Sequence, residues 1–153
     1  MIPFELPKYR KINLNYLQGF LHSISALNGG VSCGPCYDAY TISKENNPKE
    51  DLVKFFNREY EVESFYLGDL SVVEKVEFTK IINDWFFGQE YSPRENPHTP
   101  NFGWVIEQLL ECIQEVIEFH TVYSTSVTLN TCGDCLIFES QEQLLYLHLG
   151  VDS

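Results

Sequence analysis

The stretch 100-PNFGWVIEQLLECIQEVIEFH-120 is the best-formed amphipathic segment of the chain. At about 100° per residue, its apolar positions share one arc of a helix. These are Val105, Ile106, Leu109, Cys112, Ile113, Val116, Ile117 and His120. The opposite arc carries Trp104, Glu107, Glu111, Glu115 and Glu118. The pattern predicts a core helix with one solvated side.

The solvated side of this helix is strongly acidic. Glu107/Glu111 and Glu111/Glu115 are like-charge pairs four residues apart, and each destabilises a helix by roughly 0.2–0.5 kcal/mol. No lysine or arginine in the stretch relieves them. Such a face suits contact with a cationic partner, so it indicates a binding surface rather than a catalytic site.

Length and composition predict one packed domain over residues 1–153. The chain has 153 residues, of which 44% are hydrophobic and 14% aromatic, enough for a real core. No apolar run approaches the roughly 18 residues that a membrane span needs. The first residues, MIPFELPKYRK, lack the layout of a signal peptide. We therefore expect a cytoplasmic protein.

The negative charge is concentrated in the last third of the chain. The formal net charge is −12; residues 1–94 carry thirteen acids and ten bases, whereas residues 95–153 carry nine acids and no base. A surface this negative repels nucleic acid and anionic membranes, and it speeds encounter with basic proteins. Solubility is the other ordinary reason for an acidic surface.

Periodicity and capping signals predict four helices. The first begins at Asn13 and stops at Asn28-Gly29-Gly30, and the second opens at Asn47-Pro48 with a carboxylate three residues beyond the cap. A capping box at Ser71 opens the third, which ends at Gly88. The acidic stretch is the fourth.

Three C-terminal segments are predicted as strands. Residues 121–129 alternate and are rich in β-branched residues, and residues 136–139 and 144–149 form a final hairpin joined through 140–143. Residues 60–67 form a further candidate strand, residues 1–12 an extended arm, and residues 89–99 a long surface loop. The predicted fold is α+β, with about four helices packed on a small antiparallel sheet, a C-terminal meander.

Two CxxC pairs are the repeated chemical pattern. Four thiolates from Cys33, Cys36, Cys132 and Cys135 could complete the tetrahedral shell of a structural zinc site. Residues 37–131 separate the pairs, a longer interval than the 15–20 or so residues typical of such sites. The plain alternative is reduced cysteines in tight glycine-containing turns, behaving as small apolar residues, as expected for Cys112.

The tetrapeptide Cys33-Gly34-Pro35-Cys36 resembles the active-site motif of the thioredoxin family. That resemblance implies a redox dithiol at a helix N-terminus, with Cys33 as a nucleophile of lowered pKa. It covers four residues, and Ser32 stands where the family has tryptophan. No buried apolar strand precedes the motif, since Asn28-Gly29-Gly30-Val31-Ser32 leads into it.

The remaining polar residues form no catalytic signature. The chain contains no nucleophile elbow, no phosphate-cradling glycine loop and no HExxH motif. Its four histidines are scattered, and His120 is expected on the apolar arc where the acidic helix ends. Glutamates in a solvated stripe stay ionised and cannot by themselves support acid–base catalysis.

These observations favour a non-enzymatic binding protein without a cofactor. Its acidic face would consist of Trp104, Glu107, Glu111, Glu115, Glu118, Asp134 and Glu139. An inhibitor or immunity-type protein, which neutralises a basic toxin such as a nuclease, matches the size and charge. The alternative hypothesis is a zinc-stabilised or thiol-redox protein that uses the two CxxC pairs.

Overall fold

The structure, a computed structural model, describes residues 12–28, 35–59, 67–88, 103–125 and 132–151. Four helices and five strands lie in these ranges. In chain order they are α1 (Leu14–Asn28), β1 (Pro35–Ser43), α2 (Pro48–Glu59), β2 (Ser71–Val72), α3 (Lys75–Phe87), α4 (Gly103–Val116), β3 (Thr121–Thr125), β4 (Cys132–Glu139) and β5 (Gln143–Val151). The described residues exclude all but residue 12 of the predicted arm at 1–12, all but residue 67 of the predicted strand at 60–67, and the whole predicted loop at 89–99.

The five strands form one antiparallel sheet in the order β1-β5-β4-β3-β2. Strands β3, β4 and β5 are consecutive neighbours, and β4 pairs with β5 from Cys132↔Val151 to Glu139↔Leu144. The predicted α+β class, with four helices and a C-terminal antiparallel meander, is confirmed. The sheet is larger than predicted, because β1 pairs with the outer side of β5 and β2 with the outer side of β3.

The second CxxC segment is a strand, not the turn that its glycine predicts. Residues 132–135 all pair with β5, and Gly133 lies opposite Gly150. A Cβ atom on Gly133 would lie 3.1 Å from the backbone oxygen of Leu149. The glycine therefore permits a close approach of two backbones inside the sheet. Likewise, Pro35–Tyr37, predicted as loop, begins β1.

Asparagine caps set the starts of α1 and α2 as predicted. The backbone N–H of Tyr16 donates to Asn13 Oδ1 at 3.0 Å, and that of Glu50 donates to Asn47 Oδ1 at 2.9 Å. The predicted cap of α3 is wrong. Ser71 pairs with Ser124 in the sheet, and α3 starts after Glu74 without a side-chain cap. Sheet pairing outweighs the local capping signal there.

The sheet is buried on both faces. Leu145, Leu147 and Leu149 of β5 join one hydrophobic core with α1, α3 and α4. Leu144 and Tyr146, on the alternate positions, join a second core with α2. A strand covered on both faces reads as an almost continuous apolar run, which explains the sequence LLYLHL.

Helix α1 covers the free edge of the sheet at β1. Gln18 Nε2 donates to the backbone oxygen of Ala39 at 2.8 Å, and the backbone N–H of Tyr37 donates to Ser25 Oγ at 2.9 Å. Two side chains thus occupy backbone groups that an edge strand would otherwise offer to another chain.

A buried polar network joins α1, β1 and α3. Asn28 Nδ2 donates to the backbone oxygen of Phe86 at 3.1 Å and to Tyr37 Oη at 3.3 Å. The Tyr37 hydroxyl donates to the backbone oxygen of Trp85 at 2.6 Å. Burial raises the pKa of Tyr37, which keeps this hydroxyl protonated as a donor.

We expect Tyr37→Phe to lower the free energy of unfolding by about 1–2 kcal/mol, because it removes a buried hydrogen bond and leaves polar groups to rearrange. Urea unfolding monitored by circular dichroism measures the change. Tyr16→Phe, on the partly exposed side of α1, is the control and should stay within about 0.5 kcal/mol of the wild type. Equal losses in both variants would contradict the role given to the Tyr37 hydroxyl.

Candidate functional site

Helix α4 presents the two faces that the sequence predicts. Its buried side consists of Val105, Ile106, Leu109, Cys112 and Ile113. The helix ends at Val116, before the predicted limit at His120. Gln114 accounts for this end, since its side chain accepts a hydrogen bond from the backbone N–H of Phe119 at 3.0 Å. His120 is therefore exposed beyond the helix and not on its apolar arc, and its Nδ1 lies 2.7 Å from Thr121 Oγ1.

The outer side of α4 is acidic, but one of its carboxylates is neutralised. Glu107 Oε1 lies 3.0 Å from Lys75 Nζ on α3. Glu111 accepts a weak hydrogen bond from Gln108 at 3.3 Å. Within the described part of the chain, no lysine or arginine forms an ion pair with Glu111, Glu115 or Glu118. These three exposed glutamates are the uncompensated charge of the face.

Trp104 lies at the start of this face and is 66% exposed. It precedes Glu107 by one helical turn, and Lys75, the partner of Glu107, adjoins Val76, which is 82% exposed. The ion pair thus joins α3 and α4 where each helix leaves a large apolar side chain in solvent. Trp104 and Val76 are thus two exposed apolar side chains beside the ion pair that joins the helices. We name Trp104, Glu111, Glu115 and Glu118 the α4 face.

The structure does not add Asp134 and Glu139 to the α4 face. Asp134 is exposed on β4 and accepts a hydrogen bond from Trp85 Nε1 at 2.7 Å. Glu139 is only 7% exposed, and its carboxylate lies 2.7 Å from Lys44 Nζ. The sequence shows that both residues are acidic. It does not show that Trp85 of α3 donates to Asp134, or that Lys44, just after β1, pairs with Glu139.

Glu139 is a structural carboxylate. Besides Lys44, it accepts a hydrogen bond from Tyr123 Oη at 2.8 Å. Burial acts to raise the pKa of Glu139, but the hydrogen bonds and positive charge of its partners outweigh burial, and the pKa lies below its ordinary value. Its ion pair therefore stabilises the fold at neutral pH and is lost as the pH falls through the lowered pKa.

The sheet brings the two CxxC segments to the same end of β5. Cys36 pairs with Gly150 across one edge, and Cys132 pairs with Val151 across the other. Cys33 lies outside the described residues, and of Cys132 only the backbone is described. Cys36 is the second residue of a strand, so the helix N-terminus implied by the thioredoxin-like motif does not follow it.

Cys135 is inside the second core. It is 2% exposed, and its Sγ donates to Tyr146 Oη at 3.1 Å. Burial raises the pKa of the Cys135 thiol to about 12. Within the described ranges, no three or more His, Cys, Asp or Glu side chains converge as metal ligands. These contacts describe a protonated core thiol and lend no support to the zinc hypothesis.

An open cavity of about 470 Å³ lies between the end of α4 and the β4–β5 turn. It is lined by Val116, Ile117, Glu118, His120, Ser140, Gln141, Glu142 and Gln143. The sequence does not predict this cavity, because the end of α4 and the β4–β5 turn meet only through contacts between distant parts of the chain. The backbone N–H of His120 donates to the backbone oxygen of Glu139 at 2.9 Å, which brings the end of the helix against the turn.

No known protein family, curated protein or solved structure matches this chain. Among the helices that the structure describes, none has the length and apolar character needed to cross a membrane. The chemistry of the described residues therefore carries the functional argument.

We expect the buried thiols to resist alkylation in the folded protein. Cys112 and Cys135 both have raised pKa values, mainly through burial, so little thiolate exists at about pH 8. A short pulse of iodoacetamide followed by peptide mass spectrometry should leave both unmodified, whereas the same pulse in concentrated urea should label both. Rapid labelling of Cys135 in the folded protein would contradict its place in the core.

We also expect Glu111→Lys to stabilise the protein by about 0.5 kcal/mol at low salt, because it converts the like-charge pair Glu111/Glu115 into an opposite-charge pair, whereas Glu107 is already paired with Lys75. Glu111→Gln, which removes the repulsion without adding attraction, should give roughly half the gain. Denaturant midpoints measure both, and the gain should shrink in high salt. A Glu111→Lys variant of unchanged or lower stability would show that the glutamates are not in mutual repulsion.

Proposed function

We propose that this protein is a non-enzymatic binding protein whose α4 face docks a basic protein partner. The observation that carries the proposal is the exposed Trp104 at the start of α4, followed by Glu111 and Glu115 on the helix and Glu118 just beyond its end. No lysine or arginine of the described ranges forms an ion pair with these three glutamates. Tryptophan is among the residue types most enriched at binding hot spots. The apolar side of α4 is buried in the core, so a partner can contact this helix only through its exposed polar side.

The repulsion between neighbouring glutamates on α4 favours a role for this acidic face other than solubility. Isolated acidic residues dispersed over a surface keep a protein soluble without repelling each other. Here Glu111 and Glu115 are one helical turn apart, and their repulsion costs stability. A partner that supplies positive charge at this face would relieve the repulsion.

The proposed class of partner is a protein with a cationic functional surface, such as a toxin nuclease. A nuclease binds phosphates through lysines and arginines. A protein with a net charge of −12 is attracted to such a surface over a Debye length and can mask it. This protein would then act as an inhibitor of the immunity type, in the compartment where the toxin is produced.

The alternative of a zinc-stabilised or thiol-redox protein draws on the two CxxC segments, which meet at the same end of β5. The contacts of the described cysteines favour it less than the α4 face favours a binding role. Cys135 is a buried hydrogen-bond donor to Tyr146. Cys36 lies in a strand. The proposal therefore rests on the α4 face.

The test compares two variants with the same change in net charge. Glu111→Lys/Glu115→Lys reverses the α4 face, whereas Glu59→Lys/Asp84→Lys reverses exposed acids in the last turns of α2 and α3, where lysine is tolerated. Wild-type protein and both variants are immobilised, and retained proteins are identified by mass spectrometry. A purified retained partner is then measured for association rate.

We expect the wild type and the control to retain the same basic partner and the α4 variant to lose it. The association rate should fall at least about tenfold between about 50 and 500 mM salt, and Trp104→Ala should weaken binding about 30-fold. If the partner is an enzyme, stoichiometric addition of this protein should suppress its activity. Equal losses in the α4 variant and the control would show non-specific charge attraction and overturn the proposal.

A further inference from the structure

The cavity beyond α4 has an amphipathic lining. Val116 and Ile117 supply its apolar part, and the exposed carboxylates of Glu118 and Glu142 supply negative charge. Its volume of about 470 Å³ is in the range of ligand pockets. An apolar wall beside carboxylates matches the side chain of lysine or arginine, which has an aliphatic stem and a cationic head.

The location adds to the negative potential of the cavity. The C-terminal end of a helix carries partial negative charge, and the last turn of α4 contains no basic residue. Lys44 Nζ lies 3.4 Å from the backbone oxygen of the lining residue Ser140, and its charge is paired with the Glu139 carboxylate at 2.7 Å. The imidazole of His120 also lines the cavity, and its Nδ1 lies 2.7 Å from Thr121 Oγ1.

The cavity is continuous with the α4 face. Glu115 precedes Val116 directly, and Glu118 belongs both to the face and to the lining. A partner that lies along α4 from Trp104 to Val116 covers about 18 Å of helix and reaches the cavity at its end. The contact surface would thus have the exposed Trp104 at one end and the acidic cavity at the other.

We propose that this cavity takes one lysine or arginine side chain of the basic partner. The stem would pack against Val116 and Ile117, and the cationic head would lie between Glu118 and Glu142. The inference rests on the proposed function for the identity of the partner. A phosphate or carboxylate ligand is disfavoured by the two carboxylates, and the described residues do not gather three metal-binding side chains at this position.

The test uses n-butylguanidinium as a probe, titrated into ¹⁵N-labelled protein. We expect shifts confined to the backbone and side-chain amides of residues 116–120 and 140–143. Guanidinium, which lacks the stem, and pentanoate, which carries the opposite charge, are matched controls. The probe should bind more tightly than guanidinium by at least about threefold, because its stem adds apolar contact.

Amide variants of Glu118 and Glu142 test whether these two carboxylates hold the cationic head of the probe. Glu118→Gln and Glu142→Gln should each weaken probe binding about threefold, and the double variant about tenfold. Glu50→Gln/Glu77→Gln, which removes two exposed acids on α2 and α3, should leave it unchanged. Shifts spread over the whole acidic surface, equal binding of guanidinium, or no effect of the double variant would overturn the inference.

The outcomes separate this inference from the proposed function. If a basic partner is retained by the α4 face but the probe does not bind at the cavity, the inference fails and the proposed function stands. If the probe binds at the cavity but no basic partner is retained, the cation preference of the cavity stands and the proposed function fails.

Discussion

Burial of the central strand β5 on both faces is the constraint on which the rest of the structure depends. Leu144, Leu145, Leu147 and Leu149 are fully buried, and each buried leucine contributes about 1.5–3 kcal/mol relative to an exposed one. Three helices cover one face and α2 covers the other. Because α4 gives its apolar side to this core, its exposed residues are Trp104 and a polar set of glutamates and glutamines.

The local parts of the fold were predictable from the sequence. Apolar residues at helical spacing identified α4, and Asn13 and Asn47 marked helix starts that the structure confirms. The C-terminal hairpin followed from two short apolar runs joined by the polar segment 140–143. The misses share one cause, which is pairing between distant segments. Nothing near Ser71 shows that it pairs with Ser124, and nothing near Gly133 shows that it lies against Gly150.

The candidate site was predictable in composition but not in arrangement. Helical spacing placed Trp104, Glu111, Glu115 and Glu118 on the outer side of α4. Sequence reasoning could not show that Lys75 reaches Glu107, that Lys44 reaches Glu139, or that the end of α4 and the β4–β5 turn enclose a cavity. Long side chains and strand register bring these groups together across the fold. Of the seven predicted contact residues, the structure gives Glu107, Asp134 and Glu139 partners within the fold.

The central claim is that the α4 face is a contact surface. Carboxylate footprinting by mass spectrometry, with and without the retained basic protein, tests it most directly because it reports each glutamate separately. The account predicts slower modification of Glu111, Glu115 and Glu118 in the complex, with Glu50 and Glu59 on α2 unchanged. Protection of the α2 glutamates, with α4 modified at its free rate, would contradict the account.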